Sequence, residues 1–142
     1  MTNDSPITPE TRKSYLETHY HVYGQSPLTL EVGVANPLLA TLYQALSVQS
    51  CAFITACNPF SQSLDAAVNA DRQAAFAGEL RERGLKFVEG LGKHPSGQWP
   101  GEASFLVWSL TLEAAKALGT QHEQNAIIWC GLDAVPQLIM LR

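Results

Sequence analysis

The sequence predicts an α+β fold in which a mixed sheet of about six strands packs with three main helices and a short N-terminal helix. The chain has 142 residues, the commonest size of one domain, and 46% of them are hydrophobic, enough for one core. Short apolar or alternating runs are also interspersed with longer runs of helical period. We therefore expect a single domain over residues 1–142, with residues 1–7 flexible.

Helix signals occur at four places. Thr8 followed by Pro9 supplies an N-cap residue and a proline at the first helical position, and Asn36 followed by Pro37 repeats this arrangement. Gly84 is placed to end the third helix, because glycine readily takes the left-handed conformation found after helices. The predicted helices run from Thr8 to about Thr18, from Asn36 to before Ser50, from about Leu64 to Arg83, and from Thr111 to about Gly119.

The strand patterns differ in whether they predict one buried face or two. "LTLEVGV", residues 28–34, alternates as a half-buried strand does. "CAFITAC", residues 51–57, is apolar on both faces apart from Thr55, as in a central strand, although its periodicity also fits a buried helical turn. Pro136 places the last strand at an edge of the sheet, in a hairpin with the strand before it. The remaining strands are expected near Lys86 to Gly90 and in "SFLVWSL", "NAIIWCG" and "PQLIML", with a long Gly- and Pro-rich loop after Gly90.

Composition excludes several classes of function. The net charge of -4, without a cluster of Lys and Arg, provides no field that would attract nucleic acid. No apolar run approaches the roughly 20 residues that span a bilayer, and no signal peptide is recognisable, so we expect a cytoplasmic protein without a membrane partner. Three cysteines suit buried reduced thiols, and no spacing predicts a metal site or a cofactor.

The segment "CNPFSQS", residues 57–63, is the first candidate for function. It follows the central strand, and ligands of open sheets tend to bind where strands end and helices begin. Asn58 before Pro59 must leave helical dihedral angles, and Ser61 or Ser63 is suited to cap the next helix. An ordinary strand end with a helix cap explains the segment equally well.

Polar residues elsewhere in the chain extend this candidate site. Asn69 and Arg72 share one face of the third helix, and Gln124 and Asn125 directly precede an apolar strand. Trp99 and Glu102 lie in the long loop, where an aromatic ring and a carboxylate are suited to close over a site. Each group has a structural alternative, because carboxamides brace backbone and a tryptophan can pin a loop to the core.

The sequence contains little evidence for catalysis. No recognised catalytic motif is present, and Glu102 as a general base has no identified partner. Cys57 follows a strand and precedes a helix, where a thiol can become nucleophilic with His94 or His122, but a buried inert thiol is the favoured interpretation. The sequence therefore leaves open whether the domain is an enzyme.

The segments just described resemble a family. "FITACNPFSQSLDAAVNADRQAAFAGELRERG", "HPSGQWPGEASFLV" and "EQNAIIWCG" look like the bacterial family of domain of unknown function 3293, and the resemblance runs from about Tyr15 to Leu141. It implies that the polar segments meet in space, but it supplies no activity. Cys57 stands where the family commonly has an aromatic, and His122-Glu123 differ from the expected Phe-Gly. The pattern carries over onto Asn58, Pro59, Asn69, Arg72, Trp99, Pro100, Glu102, Gln124 and Asn125.

The leading hypothesis is a pocket at strand ends that binds a small polar or anionic molecule. Arg72 and a helix N-terminus would favour an anion. The alternative is a protein-interaction module of immunity or regulatory type, with a protein partner and with polar residues that only brace loops. The predicted ligand-binding residues are Asn58, Ser61, Asn69, Arg72, Trp99, Glu102, Gln124 and Asn125.

Overall fold

A computed structural model describes residues 7–98 and 100–142 and confirms the α+β class, with four α-helices and one seven-stranded sheet. The predicted flexible start lies outside the described residues apart from Ile7, which is buried. In chain order the elements are α1 Pro9–Glu17, β1 His19–Val22, β2 Leu28–Leu30, α2 Pro37–Leu46, β3 Cys51–Ile54, a 3-10 turn Pro59–Ser61, α3 Ala66–Glu82, β4 Phe87–Lys93, β5 Glu102–Trp108, α4 Leu112–Gln121, β6 Ala126–Cys130 and β7 Pro136–Met140.

The sheet is antiparallel throughout, whereas the sequence predicts a mixed sheet of about six strands. Its order is β2-β1-β4-β5-β3-β6-β7, and each neighbouring pair is antiparallel. Helices do connect strands that point in the same direction, but each crossover skips at least one strand: three between β2 and β3, one between β3 and β4, and one between β5 and β6. Thus β5 lies between β3 and β4, and β3 lies between β5 and β6. No two parallel strands therefore become neighbours among the described residues.

Strand β1 is the strand that the prediction missed. It has four residues, with Tyr20 and Val22 buried and His19 and His21 partly exposed on the other face. The alternation covers only four residues and comes directly after a helix that ends at Glu17, so it is a weak signal for a strand. Strand β2 is shorter than predicted, because the chain turns away through Gly33, whose φ is +83°.

Strand β4 is longer than predicted and runs to Lys93, which shortens the long loop to residues 94–101. Gly90, predicted as the end of this strand, lies in its interior. A Cβ atom at Gly90 would lie 2.5 Å from the backbone oxygen of His21 and 2.8 Å from the Phe53 ring. Glycine is therefore placed there by a close approach of neighbours rather than by a turn.

The core lies on both faces of the sheet, as predicted for the central strand. All four residues of β3 are buried. Cys51 and Phe53 face α2 in one cluster, while Ala52 and Ile54 face α3 and α4 in the other. Strand β7, which opens with Pro136, lies at an edge and pairs with β6, so both predictions for the last strand are confirmed.

The helix caps follow the sequence signals except at the start of α3. Asp65, not Ser61 or Ser63, is the N-cap, and its carboxylate accepts hydrogen bonds from the backbone of Ala67 and Val68. A carboxylate at this position also interacts favourably with the helix dipole. At the other end, Gly84 follows α3 with a φ of +70°, as the sequence predicts.

Candidate functional site

The polar segments meet at one edge of the sheet, where β3 ends. Because both neighbours of β3 are antiparallel to it, the end of β3 lies beside the beginnings of β5 and β6. Asn58 follows β3, Glu102 is the first residue of β5, and Gln124 and Asn125 precede β6. The topology therefore brings together residues that are far apart in the sequence.

Asn58 is the centre of this region. Its side chain donates from Nδ2 to Glu102 Oε2 at 2.8 Å, and its Oδ1 accepts from the backbone of Leu64 at 3.0 Å and from Asn69 Nδ2 at 2.8 Å. The Asn58 backbone N-H donates to Asn69 Oδ1 at 2.9 Å. Asn58 has a φ of 48°, a left-handed conformation that asparagine tolerates better than most residues.

Arg72 lies on α3 and donates to backbone oxygens. Its Nε is 2.6 Å from the Ala56 oxygen, and its Nη2 is 3.1 Å from the His122 oxygen. Its Nη1 is 3.5 Å from Glu123 Oε1. The guanidinium group thus connects the end of β3 to the loop before β6.

The residues before β6 contact the segment that follows β3 from the other side. Gln124 donates from Nε2 to the backbone oxygens of Cys57 and His122, both at 3.1 Å. Asn125 donates from Nδ2 to Ser61 Oγ at 2.8 Å, and Ser61 Oγ is also hydrogen-bonded to the Tyr15 hydroxyl of α1. The loop around Ser61 therefore has side-chain contacts on two sides.

Seven of the eight predicted site residues belong to segment 56–61 or make a hydrogen bond with it. The eighth, Trp99, lies outside the described residues. Six of the seven make hydrogen bonds whose main effect is to hold this segment in place. We call these six residues the brace: Asn58, Ser61, Asn69, Arg72, Gln124 and Asn125.

A cavity of about 820 Å³ adjoins the brace, within the 300 to 1,000 Å³ that is typical of small-molecule sites. It is lined by α1, by the end of β3 and by the beginnings of β5 and β6. Arg72 and Asn125 do not line it. Five of the predicted residues do: Asn58, Ser61, Asn69, Glu102 and Gln124.

Glu102 differs from the brace in how its polar atoms are paired. Its carboxylate accepts one hydrogen bond, from Asn58, and within the described part of the chain no Lys, Arg or His forms an ion pair with it. Burial raises the pKa of Glu102, because it disfavours the charged form, and the hydrogen bond from Asn58 only partly offsets this. A partly buried acid that has no counter-ion among the described residues thus lines the cavity.

Gln73 is a cavity residue that the sequence prediction missed. Its Oε1 accepts from the Ala56 backbone at 2.9 Å, which fixes the orientation of the carboxamide, and its buried Nε2 has no hydrogen-bond partner among the described residues. The available signal was its position one turn after Asn69 on the same helix face. We call Glu102 and Gln73 the cavity wall.

Cys57 has the properties of an inert thiol. It is buried, and burial raises the pKa of its thiol even though a hydrogen bond with Thr55 opposes the change. His122 Nε2 is 2.8 Å from Glu79, and His94 Nε2 is 3.1 Å from Glu17. The geometry therefore directs both imidazoles to carboxylates.

Two further features of the described residues bear on the class of site. Within residues 7–98 and 100–142, no group of three or more His, Cys, Asp or Glu side chains is arranged to hold a metal ion. In the same part of the chain, no helix has the length and apolar character needed to cross a membrane.

Fold and site together define a small α+β domain with a braced loop and a cavity beside it. The chain belongs to the DUF3293 family, proteins of unknown function, whose family model matches residues 54–127, slightly more than half of the chain. The matched region runs from the end of β3 into β6 and contains both the brace and the cavity wall. No curated protein and no solved structure matches the chain.

Proposed function

We propose that the domain binds a small polar molecule in the cavity beside the brace. The observation that carries this proposal is the Glu102 carboxylate, which lines the cavity with one hydrogen bond and no ion pair among the described residues. A desolvated carboxylate is costly unless a partner compensates it, so a bound ligand with a donor group would relieve this cost.

A polar molecule is favoured over an anionic one. The guanidinium of Arg72, expected to attract an anion, donates to two backbone oxygens instead of lining the cavity. No Lys or Arg is among the described lining residues, and the carboxylates of Glu10 and Glu102 are. An anion would therefore enter a region of like charge.

The brace supports the same proposal by fixing the position of Asn58. Recognition requires polar groups that are already oriented, because ordering them on binding would reduce the affinity. Asn58 has three side-chain hydrogen bonds and two backbone hydrogen bonds, and it lies directly between α3 and Glu102. The brace therefore preorganises one side of the cavity.

A thermal-shift screen against amines, sugars, nucleotides and organic acids tests the proposal. A ligand at about 100 times its Kd adds roughly 2.7 kcal/mol to the free energy of unfolding, which raises the melting temperature by several degrees. The blocking variant is Ser14→Trp, because Ser14 of α1 lines the cavity and its side chain is not used in the brace.

Leu16→Trp is the matched control, since Leu16 is exposed on the same helix and does not line the cavity. We expect a stabilising compound to lose its effect in Ser14→Trp and to keep it in Leu16→Trp. The proposal fails if no compound stabilises the wild type, or if every stabilising compound acts equally on Ser14→Trp.

A second candidate function, a protein-interaction module, is favoured by exposed apolar side chains at the other end of the sheet. Leu132 in the β6–β7 turn is 76% exposed, and Leu38 at the start of α2 is 60% exposed. The two segments are adjacent, because the Asn36 backbone donates to the Ala134 oxygen at 3.1 Å. A partner protein whose binding is lost in Leu132→Asp and retained in Ser14→Trp would favour this function.

A further inference from the structure

The aromatic lining of the cavity lies next to its acidic group. Tyr20 and Phe53 line the cavity and pack edge to face, with ring centroids 5.2 Å apart. Tyr20 pairs with Gly92 across the sheet, and Gly92 pairs with Glu102, so the Tyr20 ring lies in the region where β5 begins, with the Phe53 ring packed against it. Aromatic faces attract cations, and they do so more strongly where water is excluded.

Hydroxyl groups supply acceptors in the same cavity. Thr11 and Ser14 of α1 and Ser104 of β5 are among its lining residues. Each hydroxyl oxygen has two lone pairs and can accept from an N-H group. A group with several donors and a positive charge would thus find a carboxylate, hydroxyl oxygens and aromatic rings within one cavity.

We propose that the ligand carries a protonated amino group, which pairs with Glu102 between the aromatic rings and the hydroxyl groups of the cavity. An ammonium group has three donors, so it can use the carboxylate and the hydroxyls at once. A cation beside Glu102 would also favour its charged form, which burial now disfavours.

The proposal rests on the proposed function, because it names the group that the cavity recognises. The test uses three probes of equal chain length, butylammonium, 1-butanol and butyrate, which differ in charge. Each is titrated into the full-length protein at pH 7.5 and fixed ionic strength, and amide chemical shifts are followed by NMR. We expect butylammonium to bind at least about tenfold more tightly than the other two probes.

Glu102→Gln keeps an acceptor for Asn58 but removes the charge, and we expect the preference for butylammonium to fall below about threefold in this variant. Glu89→Gln is the matched control, since Glu89 is exposed and does not line the cavity. Loss of butylammonium binding in Ser14→Trp confirms that the probe occupies the cavity.

Three results overturn the proposal: equal or tighter binding of 1-butanol or butyrate, an unchanged preference in Glu102→Gln, or no binding of butylammonium. If compounds without an amino group stabilise the wild type and lose their effect in Ser14→Trp, the proposed function stands and only the amine inference fails. If no compound of either experiment binds, both fail.

Discussion

The brace and the cavity wall use similar residue types in neighbouring positions but differ in how completely their polar atoms are paired. In the brace, both side-chain polar atoms of Asn58 and of Asn69 have partners, and Arg72 donates to two backbone oxygens. In the cavity wall, Glu102 has one hydrogen bond and Gln73 has an unpaired Nε2 within the described part of the chain. Residue type alone therefore does not separate the two regions.

This difference indicates which region stabilises the fold and which is available for recognition. A fully paired polar network in a protected site contributes to rigidity, and removal of one member leaves others unpaired at a cost. An incompletely paired group already carries part of that cost in the folded protein. We therefore expect substitutions in the brace to destabilise the protein more than substitutions in the cavity wall.

The largest effect is expected for Asn58→Ala. This variant loses three side-chain hydrogen bonds and places alanine in the left-handed conformation, so we expect the free energy of unfolding to fall by about 3 kcal/mol. In a domain of this size the melting temperature should fall by roughly 10 °C. Urea unfolding and calorimetry measure both quantities.

Asn58→Gly separates the two causes of this loss, because glycine accepts the left-handed conformation but also lacks the side chain. It should recover only the backbone part, roughly 1 kcal/mol. Gln44→Ala, at an exposed position of α2, is the surface control. A melting temperature for Asn58→Ala within about 1–2 °C of that of the control would contradict the central role of Asn58 in stability.

Local chemistry made much of the fold predictable from the sequence. Thr8, Asn36 and Thr111 cap their helices as expected, and Gly84 ends α3. These signals act over a few residues and so depend little on the rest of the fold. The antiparallel sheet was not predictable in the same way, because the position at which a crossover returns depends on strands elsewhere in the chain.

The sequence allowed us to predict which polar residues meet at the end of β3, but not the geometry in which they meet. β3 ends at Ile54, and the Asn58-Pro59 pair between this strand and α3 made the segment visible in the sequence. The face of α3 that carries Arg72 gave no indication whether its guanidinium would meet a ligand or a backbone oxygen, since both uses need the same helical position. Gln73 was missed for a related reason: an unpaired atom can be recognised only when its surroundings are known.

The second prediction concerns the pH dependence of Glu102→Gln. The pKa of Glu102 is raised in the folded protein, whereas an unfolded glutamate titrates near about pH 4.3. Between these two values Glu102 binds more protons in the folded protein than in the unfolded chain, so the contribution of Glu102 to the stability of the wild type falls as pH rises through this window. The glutamine side chain of the variant cannot ionise, so the variant does not lose this contribution.

The variant should therefore gain stability relative to the wild type as pH rises from 4 to 7, and the gain should disappear below the unfolded pKa. Urea unfolding at several pH values measures this difference. Glu89→Gln controls for the loss of a surface charge. A difference that instead grows toward acid would show that Glu102 is stabilised in its charged form, which would end the distinction between the wall and the brace.

The smallest effect is expected for Gln73→Met, which replaces a carboxamide with an apolar side chain of similar length. The variant loses the hydrogen bond from the Ala56 backbone, but it also removes the unpaired Nε2 donor, and these two effects oppose each other. We expect the free energy of unfolding to change by less than about 1 kcal/mol. Asn69→Leu, one turn earlier on the same helix, is the matched comparison from the brace. It should cost at least about 2 kcal/mol, because it removes two hydrogen bonds of Asn58 and leaves the Asn58 backbone N-H without its acceptor. If Gln73→Met proved as costly as Asn69→Leu, pairing would not be the property that distinguishes the two regions, and packing around α3 would have to explain both.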